Sequence, residues 1–261
     1  MMIAFSKYQA SGNDFILIDV RKQVVKLTEN DIKRLCDRHF SVGADGVILL
    51  QETDKKSYDF EMKFYNSDGS FGMFCGNGGR CIVAFARDLG LISNSCIFVA
   101  PDGNHEAKVQ GNIVTLSMQN PTQLEQFTDG WFVNTGTQHF ITFVQDLDLI
   151  DVYNQGQQLR YDSRFGKHNG TNASFVQQTA NGIKIRTYER GVEAETLSCG
   201  TAVTAAAVIY AVINNLSGNI VVKASTKGGN LQVYLNKDNK DITDVFLQGE
   251  AVKVFDGVIT L

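Results

Sequence analysis

The chain has 261 residues, a formal net charge of −4 and 43% hydrophobic residues, which excludes a wholly disordered chain and gives no support to a nucleic-acid-binding protein. No apolar run approaches the ~18 residues that a membrane-spanning helix needs, and the start lacks a signal-peptide pattern, so we expect a cytoplasmic protein of one or two domains. Its five cysteines form no C-x-x-C pair, which argues against a metal site and against a disulfide framework.

Short segments rich in β-branched and aromatic residues predict strands along most of the chain. The predicted strands are 15–19, 47–50, 60–65, 96–100, 113–118, 131–134, 183–188, 220–224, 231–235 and 245–248. Helical spacing of apolar residues predicts three helices between them. These are 29–38, whose start Thr28 can cap, about 77–89, and about 201–215.

The third predicted helix, TAVTAAAVIYAVINN, is apolar on almost every side. A helix without a polar face must be enclosed by other structure, and its alanines would let strands approach closely. The sequence therefore predicts an α+β fold in which strands surround a central helix.

The second and third predicted helices both open on a Cys-Gly pair. Cys75-Gly76 precedes the second, and Cys199-Gly200 follows 124 residues later, before the third. Each pair comes after a predicted strand and a polar turn. This repetition predicts an internal duplication, with its seam at residues 119–121, because a proline after a strand ends the hydrogen-bond ladder.

A cysteine at the start of a helix is suited to proton transfer. The first N–H groups and the positive end of the helix dipole favour thiolate over thiol. The same N–H groups can hold a carboxylate. Two such sites facing one amino acid, with a sulfur on each side of its α-carbon, would form a two-base racemase that needs no cofactor.

Other readings of the cysteines stay open on the pattern alone. Cys36, Cys81 and Cys96 are best explained as small buried hydrophobic residues. Cys75 and Cys199 could also pair as a disulfide, although a reducing cytosol disfavours one. A cysteine nucleophile for acyl transfer needs a histidine base, and none flanks either residue; a non-catalytic binding module would not need two thiols.

Four motifs in order along nearly the whole chain resemble those of the diaminopimelate epimerase family. They are FSKY at 5–8 with SGNDF at 11–15, RH at 38–39 with VGADGV at 42–47, FYNSDGS at 64–70 with MFCGNGGRC at 73–81, and RTYERGV at 186–192 with ETLSCGT at 195–201. The third, which contains the first Cys-Gly pair, is the most specific.

The resemblance implies an α+β fold of two pseudo-symmetric domains. Each would be a mostly antiparallel β-sheet or barrel wrapped around a central helix, with the active site in the cleft between them. We expect the first domain at 1–118, joined by a C-terminal strand at 250–261, and the second at 119–249. The family also implies a homodimer that works without cofactor or metal.

The resemblance also implies the reaction and the residues that carry it out. The reaction is interconversion of LL- and meso-2,6-diaminopimelate in lysine and peptidoglycan precursor synthesis, with Cys75 and Cys199 as the acid/base pair. The residues expected to bind substrate are Gly76, Asn77, Gly200 and Thr201 at the reacting carboxylate, and Asn13, Asn66, Asn172, Glu189 and Arg190 at the ammonium groups and the distal end. A planar Arg190 guanidinium suits a second carboxylate.

The chain departs from the family pattern at a few positions. Thr137 stands where a substrate-binding Asn is common, Gln138 replaces a Pro, and Ser174 stands where Asn is frequent. These changes concern the distal contacts, so another cofactor-free racemase acting on proline, hydroxyproline or histidine is the alternative. We expect His39 to be structural and His105 and His168 to lie at the surface.

Overall fold

The computed structural model describes residues 2–23 and 25–261. Met1 and Val24, which belong to the predicted first domain, lie outside the described residues. Within the described part of the chain, no helix combines the length and the apolar character needed to cross a membrane.

The chain forms two compact units. The first unit contains Met1–Leu116 and Gly249–Leu261, and the second unit contains Ser117–Gln248. The domain limits expected from the sequence, 1–118 with 250–261 and 119–249, differ from these by one or two residues.

Strands dominate both units. They are β1 Met2–Ala10, β2 Asn13–Asp19, β3 Gly46–Gln51, β4 Phe60–Asn66, β5 Ser95–Ala100, β6 Gly103–Gln110, β7 Ile113–Ser117, β8 Thr122–Gln126, β9 Trp131–Asn134, β10 Gln138–Val144, β11 Asn172–Thr179, β12 Gly182–Glu189, β13 Ala194–Thr196, β14 Gly218–Thr226, β15 Gly229–Asp238, β16 Asp241–Glu250 and β17 Val252–Thr260. The α-helices are α1 Glu29–Cys36, α2 Gly76–Asp88, α3 Val152–Arg160 and α4 Gly200–Ile213, and Ser163–His168 forms a 3-10 helix. Each predicted strand overlaps an observed strand.

In the first unit, strands pair in the order β17, β1, β2, β3, β4, β5, β6, β7. The β2–β3 and β4–β5 pairs are parallel and the others are antiparallel. Parallel neighbours need a crossover connection. The connection between β2 and β3 contains α1, and the connection between β4 and β5 contains α2.

The second unit repeats this topology. Its strands pair in the order β8, β9, β10, β11, β12, β14, β15, β16, and β10–β11 and β12–β14 are the parallel pairs. The crossover between β10 and β11 contains α3, and the one between β12 and β14 contains α4. The prediction of two similar α+β domains with mostly antiparallel sheets is confirmed.

One helix lies at the centre of each unit. In α2 every residue from Gly76 to Ala86 is buried, and α2 packs against β1, β2, β3, β6 and β17. In α4 every residue from Gly200 to Ile209 is buried, and α4 packs against β9, β10, β11, β12, β14 and β15. The prediction that structure surrounds the apolar third helix is therefore confirmed.

The structure corrects two expectations. Helix α1 has the predicted capping box of Thr28 and Asp31, but it ends at Cys36 because Asp37 takes an extended conformation (φ −66°, ψ 119°). His105 is only 1% exposed, so its prediction as a surface residue is wrong. It lies on the inward face of β6, bonds to Asp102 at 2.9 Å and stacks on Phe74 with ring centroids 3.9 Å apart.

Candidate functional site

Cys75 is the last extended residue before α2. Its backbone (φ −118°, ψ 118°) marks the N-cap, and its carbonyl accepts the N–H of Gly79 at 2.7 Å. The half-buried thiol donates to Oδ1 of Asn13 at 3.6 Å. The thiol therefore lies at the amide end of the helix, where a thiolate is favoured.

Asn13, at the start of β2, is the partner shared by the groups around Cys75. Its Oδ1 also accepts from Nδ2 of Asn77 at 3.2 Å. Its own amide nitrogen donates to Asp45 Oδ2 at 2.7 Å. Sequence reasoning assigned Asn13 and Asn77 to the substrate site, and the structure brings both of them to Cys75.

A network of charged side chains positions the Asp45 carboxylate to which Asn13 donates. Arg38 contacts Asp45 at 2.7 Å and Asp14 at 2.7 Å, and Lys7 contacts Asp14 at 2.7 Å. Burial alone would raise the pKa of Asp14, but the hydrogen bonds from Arg38 and Lys7 outweigh it and lower the pKa to about 2. The Asp14 carboxylate therefore stays ionised at neutral pH and binds Arg38, which also contacts the Asp45 carboxylate that accepts from the Asn13 amide.

Asn66 lies at the end of β4, in the turn that leads toward Cys75. Its N–H donates to the Ser70 carbonyl at 3.0 Å, and its Nδ2 donates to Ser70 Oγ at 3.0 Å. Its carbonyl accepts the N–H of Gly69 at 2.9 Å. In the described bonds Asn66 thus builds its own turn, and the structure gives it no direct bond to Cys75.

Cys199 occupies the matching position before α4. Its backbone is extended (φ −120°, ψ 114°), and its side chain is buried. Its Sγ lies 3.4 Å from Thr201 Oγ1. The two Cys-Gly pairs therefore share one local geometry, with an extended cysteine followed at once by helix.

Within the second unit, a chain of hydroxyl groups leads from Cys199 to His139. Thr201 Oγ1 lies 3.2 Å from Thr137 Oγ1, which lies 2.9 Å from Nε2 of His139. Thr135 Oγ1 donates to the Thr201 carbonyl at 3.0 Å. Thr137, noted in the sequence as a departure from the family, is thus a neighbour of Thr201.

His139 ends this chain and is fully buried. Burial, together with the positive charge of Arg190, lowers the pKa of His139 to about 3. The imidazole is therefore neutral at physiological pH. Its Nδ1 has no hydrogen-bond partner among residues 2–23 and 25–261.

The hairpins beside the two cysteines also match. Ser11-Gly12-Asn13 connects β1 to β2, and Thr135-Gly136-Thr137 connects β9 to β10 with the same 124-residue offset as the cysteines. Both glycines have positive φ, 79° and 100°. Each hairpin therefore places a polar side chain, Asn13 or Thr137, against the second residue of its helix.

Asn172 and Arg190 are held together in the second unit. Asn172 Oδ1 accepts the backbone N–H of Arg190 at 2.8 Å, and its Nδ2 donates to the Gln138 carbonyl at 2.9 Å. Arg190 Nη1 donates to the carbonyls of His168 and Gly170 at 3.0 and 3.4 Å. Burial lowers the pKa of Arg190, with a further contribution from Arg160.

Glu189 is half-buried at the end of β12, where its Oε2 accepts from Thr196 Oγ1 at 3.0 Å. Ser174, the other departure from the family pattern, is completely buried and bonds to Thr187 Oγ1 at 2.9 Å. The two residues are register partners of the neighbouring strands β11 and β12. In this chain Ser174 is thus a buried residue whose described side-chain bond is to a neighbouring strand.

Sequence reasoning missed the residues that support the site. Arg38 and Asp45 appeared only as members of one motif, and Arg80 only as a member of another. Arg80 is fully buried and donates to Asn77 Oδ1 at 2.8 Å. The sequence signal that could have identified Arg80 is a basic residue within an otherwise apolar part of the predicted second helix. No group of three or more His, Cys, Asp or Glu side chains in the described chain is arranged to hold a metal ion.

The chain is similar to known proteins along nearly its whole length. The sequence profile of the family described as diaminopimelate epimerase matches residues 5–124 and 131–254. The diaminopimelate epimerase of Flavobacterium psychrophilum is 44% identical over 256 residues, covering 97% of this chain and 98% of that protein. That of Aquifex aeolicus is 38% identical over 272 residues, covering 97% and 96%.

Solved structures share the fold at low sequence identity. A phenazine biosynthesis protein of the PhzF family from Bacillus anthracis matches with a TM-score of 0.78 and 16% identity, over 100% of both chains. A hydroxyproline epimerase from Agrobacterium vitis matches with a TM-score of 0.73 and 13% identity, over 100% of this chain and 93% of that one. These matches establish the architecture.

Proposed function

This chain belongs to the diaminopimelate epimerase family, and from that premise we propose that it interconverts LL- and meso-2,6-diaminopimelate by a two-base mechanism without a cofactor. The observation that carries the proposal is the pair of matched helix starts. Cys75 and Cys199 are each the extended residue before a buried helix, 124 residues apart. A two-base mechanism, in which the proton leaves one face of the stereocentre and a proton returns to the other, uses one base and one acid of this kind.

In the proposed reaction the thiolate of one cysteine removes the proton from the α-carbon. The electron pair left behind spreads onto the α-carboxylate, and the thiol of the other cysteine returns a proton to the opposite face. The first cysteine then carries the proton and the second the negative charge, so the pair is ready for the reverse reaction. By the labelling usual in the family, Cys75 is the donor and Cys199 the acceptor, and the two exchange these roles with the direction of the reaction.

The first N–H groups of the two helices would stabilise the charge on the carboxylate. These groups belong to Gly76, Asn77, Gly200 and Thr201, all of which are buried. Preorganised N–H donors of this type are commonly worth about 10²–10³ in rate each. General acid–base transfer adds about 10²–10⁴.

The distal amino-acid end of the substrate would bind to Asn13, Asn66, Asn172, Glu189 and Arg190. Among the described residues, the side-chain bonds of Arg190 use only Nη1. Nε and Nη2 therefore keep donors for a carboxylate, in the fork geometry that pairs two N–H groups with two oxygens. The Glu189 carboxylate and the asparagine amides suit an ammonium group.

The contrast between Cys75 and Cys199 and the other cysteines gives a direct test. We expect Cys75→Ala and Cys199→Ala each to lower epimerisation of LL-diaminopimelate by at least ~10²-fold. Cys96→Ala, which removes a buried thiol of the first unit, is the matched control and should keep activity. In heavy water, deuterium should enter the α-position during turnover because thiol protons exchange with solvent.

Product free of deuterium, or full activity in either alanine variant, would refute the two-base mechanism. Substrate choice is tested separately with proline, hydroxyproline and histidine. These amino acids lack a second amino-acid end for Glu189 and Arg190 to bind. Turnover of one of them, with none of diaminopimelate, would replace the proposed substrate.

We further propose that the enzyme acts in the cytoplasm, in lysine and peptidoglycan precursor synthesis, as a homodimer. Support for self-association comes from β17, where Val254, Phe255 and Val258 are 55%, 46% and 67% exposed. Several apolar side chains together on one strand favour a protein contact. Light scattering of the full chain measures the mass of the assembly.

A further inference from the structure

Arg80 lies in the second turn of α2 with none of its side chain exposed. No ion pair among the described residues involves it. An unpaired charge inside a protein costs far more than a solvated one. Burial lowers the pKa of Arg80 only to about 10. The side chain is therefore still protonated at neutral pH and carries a buried positive charge.

The guanidinium lies beside the first turn of α2. Nη2 donates to Asn77 Oδ1 at 2.8 Å and to Ser11 Oγ at 3.2 Å, and Nη1 donates to the Gly76 carbonyl at 3.4 Å. Nε is buried and has no hydrogen-bond partner in the described chain. Gly76 and Asn77 follow Cys75 directly in the chain. The guanidinium charge of Arg80 therefore lies next to the backbone segment that begins at the Cys75 thiol.

Arg80 is also connected to the thiol through side chains. It fixes Oδ1 of Asn77, which leaves the Asn77 amide nitrogen to donate to Asn13 Oδ1 at 3.2 Å. The same Asn13 oxygen accepts from Cys75 Sγ at 3.6 Å. Arg80 thus contributes both a charge and the orientation of the amides around Cys75.

Charged groups on the elements that pack against α2 are paired with one another. Of these elements, β3 carries no charged residue. On β6, His105 bonds to Asp102, while the charged residues of its other face are exposed. The remaining paired groups are Lys7, Asp14, Arg38 and Asp45, then Asp19 with Arg21, and on β17 Lys253 with Asp256. None of these pairs neutralises the charge of Arg80, which is therefore an additional positive charge beside α2.

The second unit lacks this charge at the matching position. Thr204 stands 124 residues after Arg80, as Cys199 does after Cys75. Its hydroxyl donates to the Gly200 carbonyl at 3.0 Å, the same backbone position that Arg80 contacts in α2. The two helix starts thus share a backbone contact and differ by one full charge.

We propose that Arg80 is a positioning residue that favours the thiolate form of Cys75 and so makes the two thiols of the pair unequal. A positive charge next to a thiol stabilises its anion and adds to the effect of the helix dipole. The role in turnover rests on the proposed function of Cys75. The effect on the thiol itself does not depend on any substrate.

The test is the pH dependence of Cys75 alkylation by iodoacetamide in the full chain. A Cys199→Ser background removes the second site thiol, and mass spectrometry identifies the peptide that contains Cys75. We expect the parent thiol to titrate below the ordinary value of ~8.5. Arg80→Gln should raise that value by about one pH unit, which slows alkylation about tenfold at neutral pH, whereas Arg80→Lys should keep most of the rate.

Thr204→Val is the matched control, since it removes the equivalent side-chain donor in α4 and should leave Cys75 alkylation unchanged. A parent thiol that titrates at or above ~8.5 overturns the proposal without any variant. So does an Arg80→Gln profile that superimposes on the parent. If Arg80→Gln does not fold, the parent and Arg80→Lys profiles decide. Because no substrate is used, loss of the proposed epimerase function would leave this result standing.

Discussion

His139 illustrates how one side chain can set the pH range of stability. It takes in β10 the place that Phe15 takes in β2, 124 residues earlier, and both are buried. Its only described side-chain bond runs from Nε2 to Thr137. Burial keeps the imidazole neutral, and Arg190 adds to the effect, so its pKa falls to about 3.

We therefore predict that the second unit loses stability as the pH falls below neutral. Between pH 6.5 and 3 the unfolded chain binds a proton at His139 that the folded chain does not, so stability rises with pH across this window. From pH 7 to pH 5 His139 should cost about 2 kcal/mol of unfolding free energy. Urea unfolding followed by the fluorescence of Trp131, the single tryptophan, which lies in β9, measures it.

His139→Phe should remove this part of the pH dependence, because phenylalanine does not titrate and fills the matching place in β2. His39→Gln is the control, since His39 is exposed and lies in the first unit. An identical loss of stability at pH 5 in His139→Phe and in the parent chain would contradict the assignment.

Whether a site residue could be predicted from the sequence depends on how many residues separate it from its partners along the chain. Cys75 and Cys199 could be identified because each precedes a helical pattern within its own local motif. The partners of Arg80 and Arg38 could not, since Arg80 bonds to Ser11 across 69 residues and Arg38 to Asp14 across 24. Only the folded sheet brings such pairs together. The roles assigned to the predicted site residues themselves stay predictions.

Elements with a strong apolar pattern were predictable, and elements without one were not. Strand 47–50 reads as a continuous β-branched and aliphatic run, and β3 is buried along nearly its whole length. Helix α3 was missed because its buried residues are Val152, Gly156 and Arg160. Their i, i+4 spacing is helical, but glycine and arginine do not register as an apolar stripe. Gly156 is there because a Cβ would come within 2.4 Å of Tyr188.

The turn between β4 and α2 depends on a close approach to α1. Gly69 has φ +85°, and a Cβ on it would lie 2.6 Å from the Glu29 carbonyl oxygen. Gly90 has a similar φ of +71° but open space around it. Substitution of either glycine incurs the cost of a left-handed residue, about 1–2 kcal/mol, so comparing them isolates the contact with α1.

We predict that Gly69→Ala destabilises the first unit by about 1–3 kcal/mol more than Gly90→Ala does, because the backbone of α1 must move. Thermal unfolding followed by circular dichroism measures the difference. The Gly69 N–H bonds to the Asn66 carbonyl, so the same variant should also weaken substrate binding and raise KM. Equal melting temperatures for the two variants would show that the approach of the turn to α1 has no energetic consequence.

At the scale of the whole chain, the duplicated topology was only partly visible in the sequence. The two Cys-Gly pairs revealed the repeat, but the matching order of strands could not be read, because six strands of the paired series, β1, β6, β8, β10, β11 and β17, were not predicted from their residues. We propose that the two units are the domains that the sequence predicts. The predicted cleft between them stays a prediction.

The first unit is made from both ends of the chain, whereas the second is continuous. Strand β17 closes the first unit by pairing with β1 from Met2 to Gln9 and by packing against α2. Gly257 lets the ring of Phe5 lie against this strand, since a Cβ there would come within 2.6 Å of the ring. The last residues of the chain are therefore part of the support of Cys75, although they are distant from it in sequence.

A chain that ends at residue 248 should consequently lose the first unit and keep the second. Without β17, the edge of β1 and the apolar residues beneath it become exposed, whereas residues 117–248 keep all their own sheet pairings. The buried cysteines of the first unit, Cys36, Cys81 and Cys96, report the loss, because a thiol reagent reaches them only when that unit opens. Unchanged Trp131 fluorescence reports the intact second unit. Protection of all three cysteines in the truncated chain, with the full-length chain as control, would mean that β17 is dispensable and that the first unit holds Cys75 in place without it.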